Sequence, residues 1–185
     1  MKYIKINEFF HDVFGKKQSV LELIAVFVFS FLATYFIYNN YSNDTQGALS
    51  WKIIAAFILV ADIMAGCIAN FTFSTNQHYV NQSKKRLLFI LFHIHLLVIS
   101  FLLDAYFVYA FVFTVYTIGA ACIVNALIGK RIQRFIAANL MFYGLIMILY
   151  FSLPLWFILI SLFFMIKLVF SFSVNHYEVS ILNNN

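Results

Sequence analysis

Apolar residues along this chain fall into long runs that short polar segments separate. Two of these runs, near residues 19–38 and 51–70, are each followed by a polar stretch rich in Asn and Ser. A helix of about 20 apolar residues is long enough to cross a hydrocarbon core of roughly 30 Å. Each of these two runs therefore predicts one transmembrane helix.

Two further apolar runs, at residues 87–128 and 135–174, are too long for one crossing. A single helix over the first would measure about 63 Å at about 1.5 Å per residue, twice the thickness of the core. This run has to fold back, and Asp104 is the expected corner. In the second run the chain's single proline, Pro154, opposes a continuous helix because proline removes a backbone donor. The predicted spans are 19–38, 51–70, 87–103, 106–128, 135–151 and 155–174.

Residues 4–14 place apolar side chains at helical spacing with charged side chains opposite them, which predicts a short amphipathic helix in the membrane interface, within residues 1–18. The first span is longer than the apolar part of a signal peptide and lacks a small-x-small cleavage pattern, so we expect it to be retained. Residues 175–185 form a polar tail. The predicted fold is all-α: a polytopic membrane helix bundle of about six transmembrane helices preceded by the interfacial helix.

Composition supports this fold class and excludes a soluble domain. The chain is 64% hydrophobic and 10% charged, whereas soluble domains are roughly 45–50% apolar and 25% charged. Its two cysteines, Cys67 and Cys122, lie inside apolar runs and form no C-x-x-C pair, so we interpret them as small buried residues. The net charge of +5 does not indicate nucleic acid, because the basic residues form short clusters at the ends of spans.

The distribution of basic residues predicts the orientation, since Lys and Arg are retained on the cytoplasmic side. Six spans place Lys52 on one side and Lys167 within the last span. The other basic residues fall on the opposite side: Lys2, Lys5, Lys16, Lys17, Lys84, Lys85, Arg86, Lys130, Arg131 and Arg134. We therefore expect both termini to be cytoplasmic, in a cytoplasmic membrane of bacterial type.

Polar side chains inside the spans are functional candidates, because an ionisable group in a membrane helix costs at least a few kcal/mol. Asp62 lies about 12 Å, and His93 about 10 Å, from the cytoplasmic ends of their spans, so the two side chains can meet at one level. Most other polar groups fall in the same half, which predicts a pocket open to the cytoplasm. The candidates for binding a proton or ligand are Asp62, Asn70, His93, His95, Asn125 and Lys167.

The alternative is structural. A buried Asp–His pair can serve only to give each residue a polar partner between the helices. Asn125 and Asn139 can hydrogen-bond between helices. Lys167 can extend its stem to the inner interface. His93 and His95 are roughly 200° apart on a regular helix, so both cannot face one metal ion from such a helix. We therefore predict no metal site and no cofactor.

Motifs of known intramembrane enzymes are missing from the sequence, including H-x-x-x-H, G-x-S-x-G and H-E-x-x-H. The basic clusters are candidates for contact with anionic lipid headgroups, at roughly 1 kcal/mol per charge. These clusters comprise Lys84, Lys85, Arg86, Lys130 and Arg131.

Three functions remain open. The first is a small carrier that binds a proton or polar ligand at Asp62 and His93. The second is an accessory protein whose polar residues only hold helices together. The third is an enzyme or binding protein for a lipid or lipid-linked substrate, in which Asn70, His78 and His95 act together with Asp62 and His93. A homodimer or a partner membrane subunit would suit so small a unit, and no nucleic-acid partner is expected.

Overall fold

The structure is a computed structural model that describes residues 3–8, 11–45, 49–80 and 82–177. Within these residues, six helical segments are long and apolar enough to cross a membrane. They are Val20–Thr45, Trp51–Ala69, Ser83–Leu102, Phe107–Ala126, Gln133–Tyr150 and Leu155–Phe172. The predicted helical fold and its six apolar segments are confirmed, and they are compatible with a membrane protein.

The elements follow one another in a simple order. Two short strands, β1 (Tyr3–Lys5) and β2 (Lys17–Ser19), enclose the one-turn helix α1 (His11–Phe14). The remaining helices are α2 (Val20–Thr45), α3 (Trp51–Ala69), α4 (Phe73–Val80), α5 (Ser83–Phe92), α6 (His95–Leu102), α7 (Phe107–Ala126), α8 (Gln133–Tyr150) and α9 (Leu155–Met165), which continues as a π-helical segment, Ile166–Phe172.

The prediction of an amphipathic helix over residues 4–14 is wrong. β1 and β2 pair as antiparallel strands, with Tyr3 opposite Ser19. The backbone N–H of Lys17 donates to Ser74 Oγ at 3.1 Å, and Gln18 Nε2 donates to Thr72 Oγ1 at 2.6 Å. Helical spacing could not reveal these partners, because they come from a segment more than fifty residues away. Phe9 and Phe10, part of the predicted apolar face, lie outside the described residues, as do residues 178–185 of the predicted tail.

The polar stretches that follow the first two predicted spans contain helix. α2 continues through the polar residues to Thr45, and the stretch after α3 contains the eight-residue α4. The corner at Asp104 lies where predicted, between α6 and α7, and Asp104 has a φ of 49°. Aspartate is one of the few residues that tolerate this left-handed conformation.

Polar contacts join one set of helix ends, which we call the basic end. Gln133 Nε2, at the start of α8, donates to Val124 O of α7 and to Ser173 O just after the π-helical segment, both at 3.0 Å. Asn76 Nδ2 of α4 donates to Val174 O at 3.1 Å. The described Lys and Arg residues in the segments at this end are Lys5, Lys16, Lys17, Lys84, Lys85, Arg86, Lys130, Arg131 and Arg134.

Aromatic rings and one ion pair join the opposite end. The Trp156 ring lies 5.1 Å from the ring of Tyr41 and 5.8 Å from that of Tyr106. Lys52 Nζ lies 3.0 Å from Asp104 Oδ2, with both side chains exposed. Rings of this amphipathic kind favour a membrane–water interface.

The core of the bundle lies between α3 and the last helical segment. α3 packs against α2, α6, α9 and the π-helical segment, and its residues Val60, Ile63 and Met64 are fully buried. Large apolar side chains on the outer faces are exposed, including Phe31 at 70%. Burial is therefore concentrated where α3 meets the π-helical segment, and two of the functional candidates, Asp62 and Lys167, lie at this contact.

Candidate polar pocket within the bundle

The third apolar segment is broken in the middle. α5 ends at Phe92 and α6 begins at His95, and His93 adopts φ −79° and ψ 72°, which is not helical. His93 Nδ1 lies 2.6 Å from the carbonyl oxygen of Phe89. Because of the break, the rings of His93 and His95 lie with their centroids 4.7 Å apart. The expectation that these rings point to opposite sides assumed a regular helix, and it is wrong.

Asp62 of α3 is the ionic centre of the cluster. Its Oδ2 lies 2.6 Å from Lys167 Nζ and 3.3 Å from His95 Nε2. The expected partner was His93, whereas the closest counterion comes from the π-helical segment. Lys167 is only 3% exposed, so the prediction that its stem extends to the interface is also wrong. The ammonium group stays inside because the Asp62 carboxylate accepts its hydrogen bond there.

Gly66 provides the space for this ion pair. A Cβ atom at Gly66 would lie 2.9 Å from Lys167 Cδ and 3.0 Å from its Nζ, with Cε closer still. Gly66 is one turn after Asp62, on the same face of α3. The group that approaches α3 closely at this glycine is therefore the lysine side chain.

A cavity of about 230 Å³ lies beside the ion pair. Asp62 is 46% exposed in its side chain and lies at the mouth, while Lys167 lies in the wall. Asn70 is only 5% exposed, yet among the described residues neither its Nδ2 nor His95 Nδ1 has a hydrogen-bond partner. The cavity is lined by Asp62, Gly66, Asn70, Phe89, His93, His95 and Lys167.

A groove of about 440 Å³ continues from this cavity toward the basic end. It shares Phe89, His93 and His95 with the cavity and extends to Lys85, in the first turn of α5, and to Tyr79 of α4. The groove and the cavity therefore share part of their lining, and the groove extends to residues near that end of the bundle. Phe89, which lines both spaces, was not among the predicted residues, and nothing in the sequence distinguishes it from the other phenylalanines.

Arg86 and Asn125 form a separate cluster. Arg86 is 1% exposed; its Nε donates to Asn125 Oδ1 at 2.9 Å, and its Nη2 donates to the carbonyls of Phe172 and Ser173 at 3.1 and 3.0 Å. The predicted helix-to-helix role of Asn125 is confirmed, whereas Asn139 Nδ2 donates to the carbonyl of Phe135 in its own helix. The predicted contact of Arg86 with lipid is wrong, because the carbonyls at the end of the π-helical segment hold its guanidinium inside.

The other basic candidates remain at the surface. Lys84 and Lys85 in the first turn of α5, and Lys130 and Arg131 in the α7–α8 connection, are all exposed. Their side chains are accessible to solvent or to lipid headgroups.

The composition of the cavity favours binding over nucleophilic catalysis. A carboxylate, an ammonium group, two imidazoles and an amide surround it, and no Ser, Thr or Cys is among the described residues that line it. Cys67 lies nearby in sequence, but its Sγ contacts the carbonyl of Phe163 at 3.0 Å. These groups can hold a cation or a small polar molecule.

Comparisons with protein-family models, with curated proteins and with solved structures found no match to this chain.

Proposed function

We propose that this chain is a small membrane carrier, or a subunit of one, that binds a proton or another small cation in the cavity beside Asp62 and His93. In this proposal the six apolar helical segments cross a cytoplasmic membrane, both termini are cytoplasmic, and the cavity communicates with the cytoplasm. The distribution of charge supports this orientation. Nine described Lys and Arg residues belong to the segments at the basic end, and basic residues are retained on the cytoplasmic side.

The observation that carries the proposal is the ion pair of Lys167 and Asp62 in the wall and mouth of a cavity. The ammonium group of Lys167 is a cation that belongs to the protein itself. It pairs with the carboxylate of Asp62, whose side chain is 46% exposed. A free cation, or a ligand with a positively charged group, would compete for the same oxygen atoms. The lysine and the ligand would then be alternative counterions, which is the exchange a carrier needs to bind and release its cargo.

A purely structural role explains fewer of the observations. An ion pair that only joins two helices is most stable when its remaining polar atoms are satisfied and no space is left beside it. Here the pair borders a cavity, two imidazoles lie beside it, and Asn70 Nδ2 and His95 Nδ1 have no partner among the described residues. These features favour a binding site over the accessory role.

The hypothesis of a lipid-binding protein is supported only by the exposed basic side chains on the surface. Lys84, Lys85, Lys130 and Arg131 are exposed, and we propose that they contact anionic headgroups at roughly 1 kcal/mol per charge. This contact would anchor and orient the carrier.

The test is transport by purified protein in lipid vesicles. H⁺, Na⁺, K⁺, Mg²⁺ or Zn²⁺ would be added outside the vesicles in separate experiments. A pH-sensitive dye inside the vesicles would report entry of protons or exchange of the added ion for protons. A potential-sensitive dye outside would report entry that moves net charge across the membrane. We expect a flux for at least one of these ions and its loss in Asp62→Asn. The matched control is Asp104→Asn, which removes the carboxylate of the exposed Lys52–Asp104 pair and should leave the flux unchanged.

Thermal unfolding of each variant in detergent separates a lost site from a lost fold. Loss of flux in Asp62→Asn with an unchanged melting temperature supports the carrier. A flux no greater than that of protein-free vesicles for every ion, or equal fluxes in the wild type and Asp62→Asn, overturns it. If Asp62→Asn mainly unfolds the protein while Asp104→Asn does not, the pair is structural and the accessory role replaces the carrier.

A further inference from the structure

From the geometry of the same cavity we infer that Asp62, His93 and His95 bind a divalent transition-metal ion of the zinc class, which replaces the ammonium group of Lys167 on the carboxylate. The inference deepens the proposed function and rests on it for the role of the ion as cargo.

The three side chains already approach the spacing that a metal ion requires. Their ligand atoms all lie within 4.8 Å of one another. The ligands of a tetrahedral zinc ion are about 3.3 Å apart, as follows from metal–ligand bonds of about 2.0–2.1 Å. Asp62 Oδ2 and His95 Nε2 are at this separation, 3.3 Å. Metal binding would have to bring the third ligand, His93, to the same distance.

The helix break orients His93 for metal binding. A carbonyl oxygen can only accept a hydrogen bond, so the contact with Phe89 O at 2.6 Å places the proton of His93 on Nδ1. Nε2 then carries the lone pair. A ligating histidine usually donates its other ring N–H to a carbonyl or carboxylate, which sets its tautomer and orientation. His93 is held in this way before any metal is bound.

The types of ligand specify the class of ion. Two imidazoles and one carboxylate suit Zn²⁺ and similar divalent transition metals, whereas Mg²⁺ and Ca²⁺ prefer oxygen ligands only. Three protein ligands leave a fourth position for water or substrate, as in open zinc sites. The cavity beside the cluster has room for that position. Asn70 also lines this cavity; it is 5% exposed, and its Nδ2 has no hydrogen-bond partner among the described residues.

Lys167 decides when the metal can bind. Its Nζ lies 2.6 Å from Asp62 Oδ2, and an ammonium group and a metal dication on the same oxygen would repel each other. The metal therefore has to displace the flexible lysine head into the cavity. Removing the ammonium group should strengthen metal binding, whereas a lysine that merely stabilised the site would have the opposite effect.

The experiment is a titration of the full-length protein, purified in detergent micelles without metal, with Co²⁺ as the spectroscopic probe and Zn²⁺ as competitor. We expect one Co²⁺ per chain with the intense visible absorption of a tetrahedral site, and displacement by Zn²⁺. His95→Gln, which leaves the helix break unchanged, should weaken Co²⁺ binding at least tenfold, as should His93→Ala. Lys167→Met should tighten it several-fold.

A second histidine pair provides the control. The rings of His11 and His78 lie 6.2 Å apart at the basic end, where a surface pair could take up metal. His78→Ala should leave the affinity and the spectrum unchanged. Absence of Co²⁺ binding, binding that persists in His95→Gln, or binding that disappears in His78→Ala would each overturn the inference. Equal or weaker binding in Lys167→Met would also overturn it.

Two results keep this inference separate from the proposed function. Vesicles that contain a zinc-sensitive dye would report Zn²⁺ entry in the same preparation. Site-specific Co²⁺ binding without flux of any ion would leave the metal site standing and overturn the carrier. Ion flux that depends on Asp62 without Co²⁺ binding would support the carrier and overturn the metal site.

Discussion

Gly66 and Lys167 lie so close together that a methyl group on the glycine would overlap the lysine stem. This contact lets the lysine cross the face of α3 and reach Asp62, 2.6 Å away. The ion pair therefore depends on a residue that has no side chain and takes no part in its charge.

Gly66→Ala should disrupt the ion pair. The added methyl group has to push the Lys167 stem away from α3, and overpacking of this kind costs about 1–3 kcal/mol. We expect a lower melting temperature in detergent and loss of the ion flux that depends on Asp62.

The control for this change is Gly119→Ala, on α7. A Cβ atom there meets nothing within 4 Å, and alanine is favoured over glycine in a helix by about 1 kcal/mol. Gly119→Ala should be neutral or slightly stabilising. If Gly66→Ala behaved in the same way, the tight approach of Lys167 would be wrong.

Arg86→Met should strongly destabilise the basic end. The change leaves the buried carbonyl of Phe172 and Asn125 Oδ1 without the donors that Arg86 supplies, and each unsatisfied group costs about 1–3 kcal/mol. The carbonyl of Ser173 loses one donor but keeps the hydrogen bond from Gln133 Nε2. Thermal or denaturant unfolding would measure the loss. Arg86→Lys should recover only part of it, because a single ammonium group does not have the fork of the guanidinium.

Lys84→Met tests whether the effect at Arg86 comes from charge alone. Lys84 lies two residues earlier and is exposed, so its removal should change stability by no more than about 0.5 kcal/mol. Equal effects of the two substitutions would contradict a buried role for Arg86.

Gly15→Ala should loosen the N-terminal hairpin from α4. Gly15 has a φ of 67°, and a Cβ atom would overlap the backbone carbonyl of Ser74. A left-handed backbone costs about 1–2 kcal/mol for an L-residue even without the overlap. We expect faster amide hydrogen exchange in residues 11–19 and in α4 with little change in the main melting transition. Lys16→Ala, at an exposed neighbour, should leave the exchange rates unchanged.

His176 should make stability fall in mild acid. Burial lowers the pKa of His176 from its ordinary value of 6.5, against the raising effect of its hydrogen bonds to the carbonyls of Ser171 and Phe170. The folded state then binds fewer protons than the unfolded chain just below pH 6.5, so this residue's contribution is present above that pH and decreases as pH falls. Melting temperatures from about pH 8 to about pH 5 should fall less in His176→Gln than in the wild type. Parallel curves would contradict the prediction.

The pocket shows where prediction from the sequence stopped. Asp62, Asn70, His93, His95 and Lys167 were identified as candidates because polar groups are costly inside an apolar span. Their pairing was not identified. Counting residues at 1.5 Å each gives depth along a helix, but it does not reveal that α5 ends at Phe92 or that Lys167 faces α3 instead of the interface.

Arg86 and the described N-terminal residues, 3–8 and 11–19, show the same limit. Each belongs to a pattern with a common local meaning, a basic cluster at a span end or an amphipathic stretch. In each case the outcome was set by acceptors and donors elsewhere in the chain, namely the carbonyls of Phe172 and Ser173, and the side chains of Thr72 and Ser74. Local periodicity carries no information about partners that are fifty or more residues away.

The sequence alone determined that this chain forms six long apolar helical segments, because hydrophobic length is a local property that each run carries by itself. It also determined which polar residues are exceptional within those segments. Only the tertiary structure decided that Lys167 is the counterion of Asp62, that a broken helix brings His93 and His95 together, and that Arg86 is buried. Those outcomes depend on which helices pack together. They also depend on which backbone N–H and C=O groups at the helix ends still need a hydrogen-bond partner.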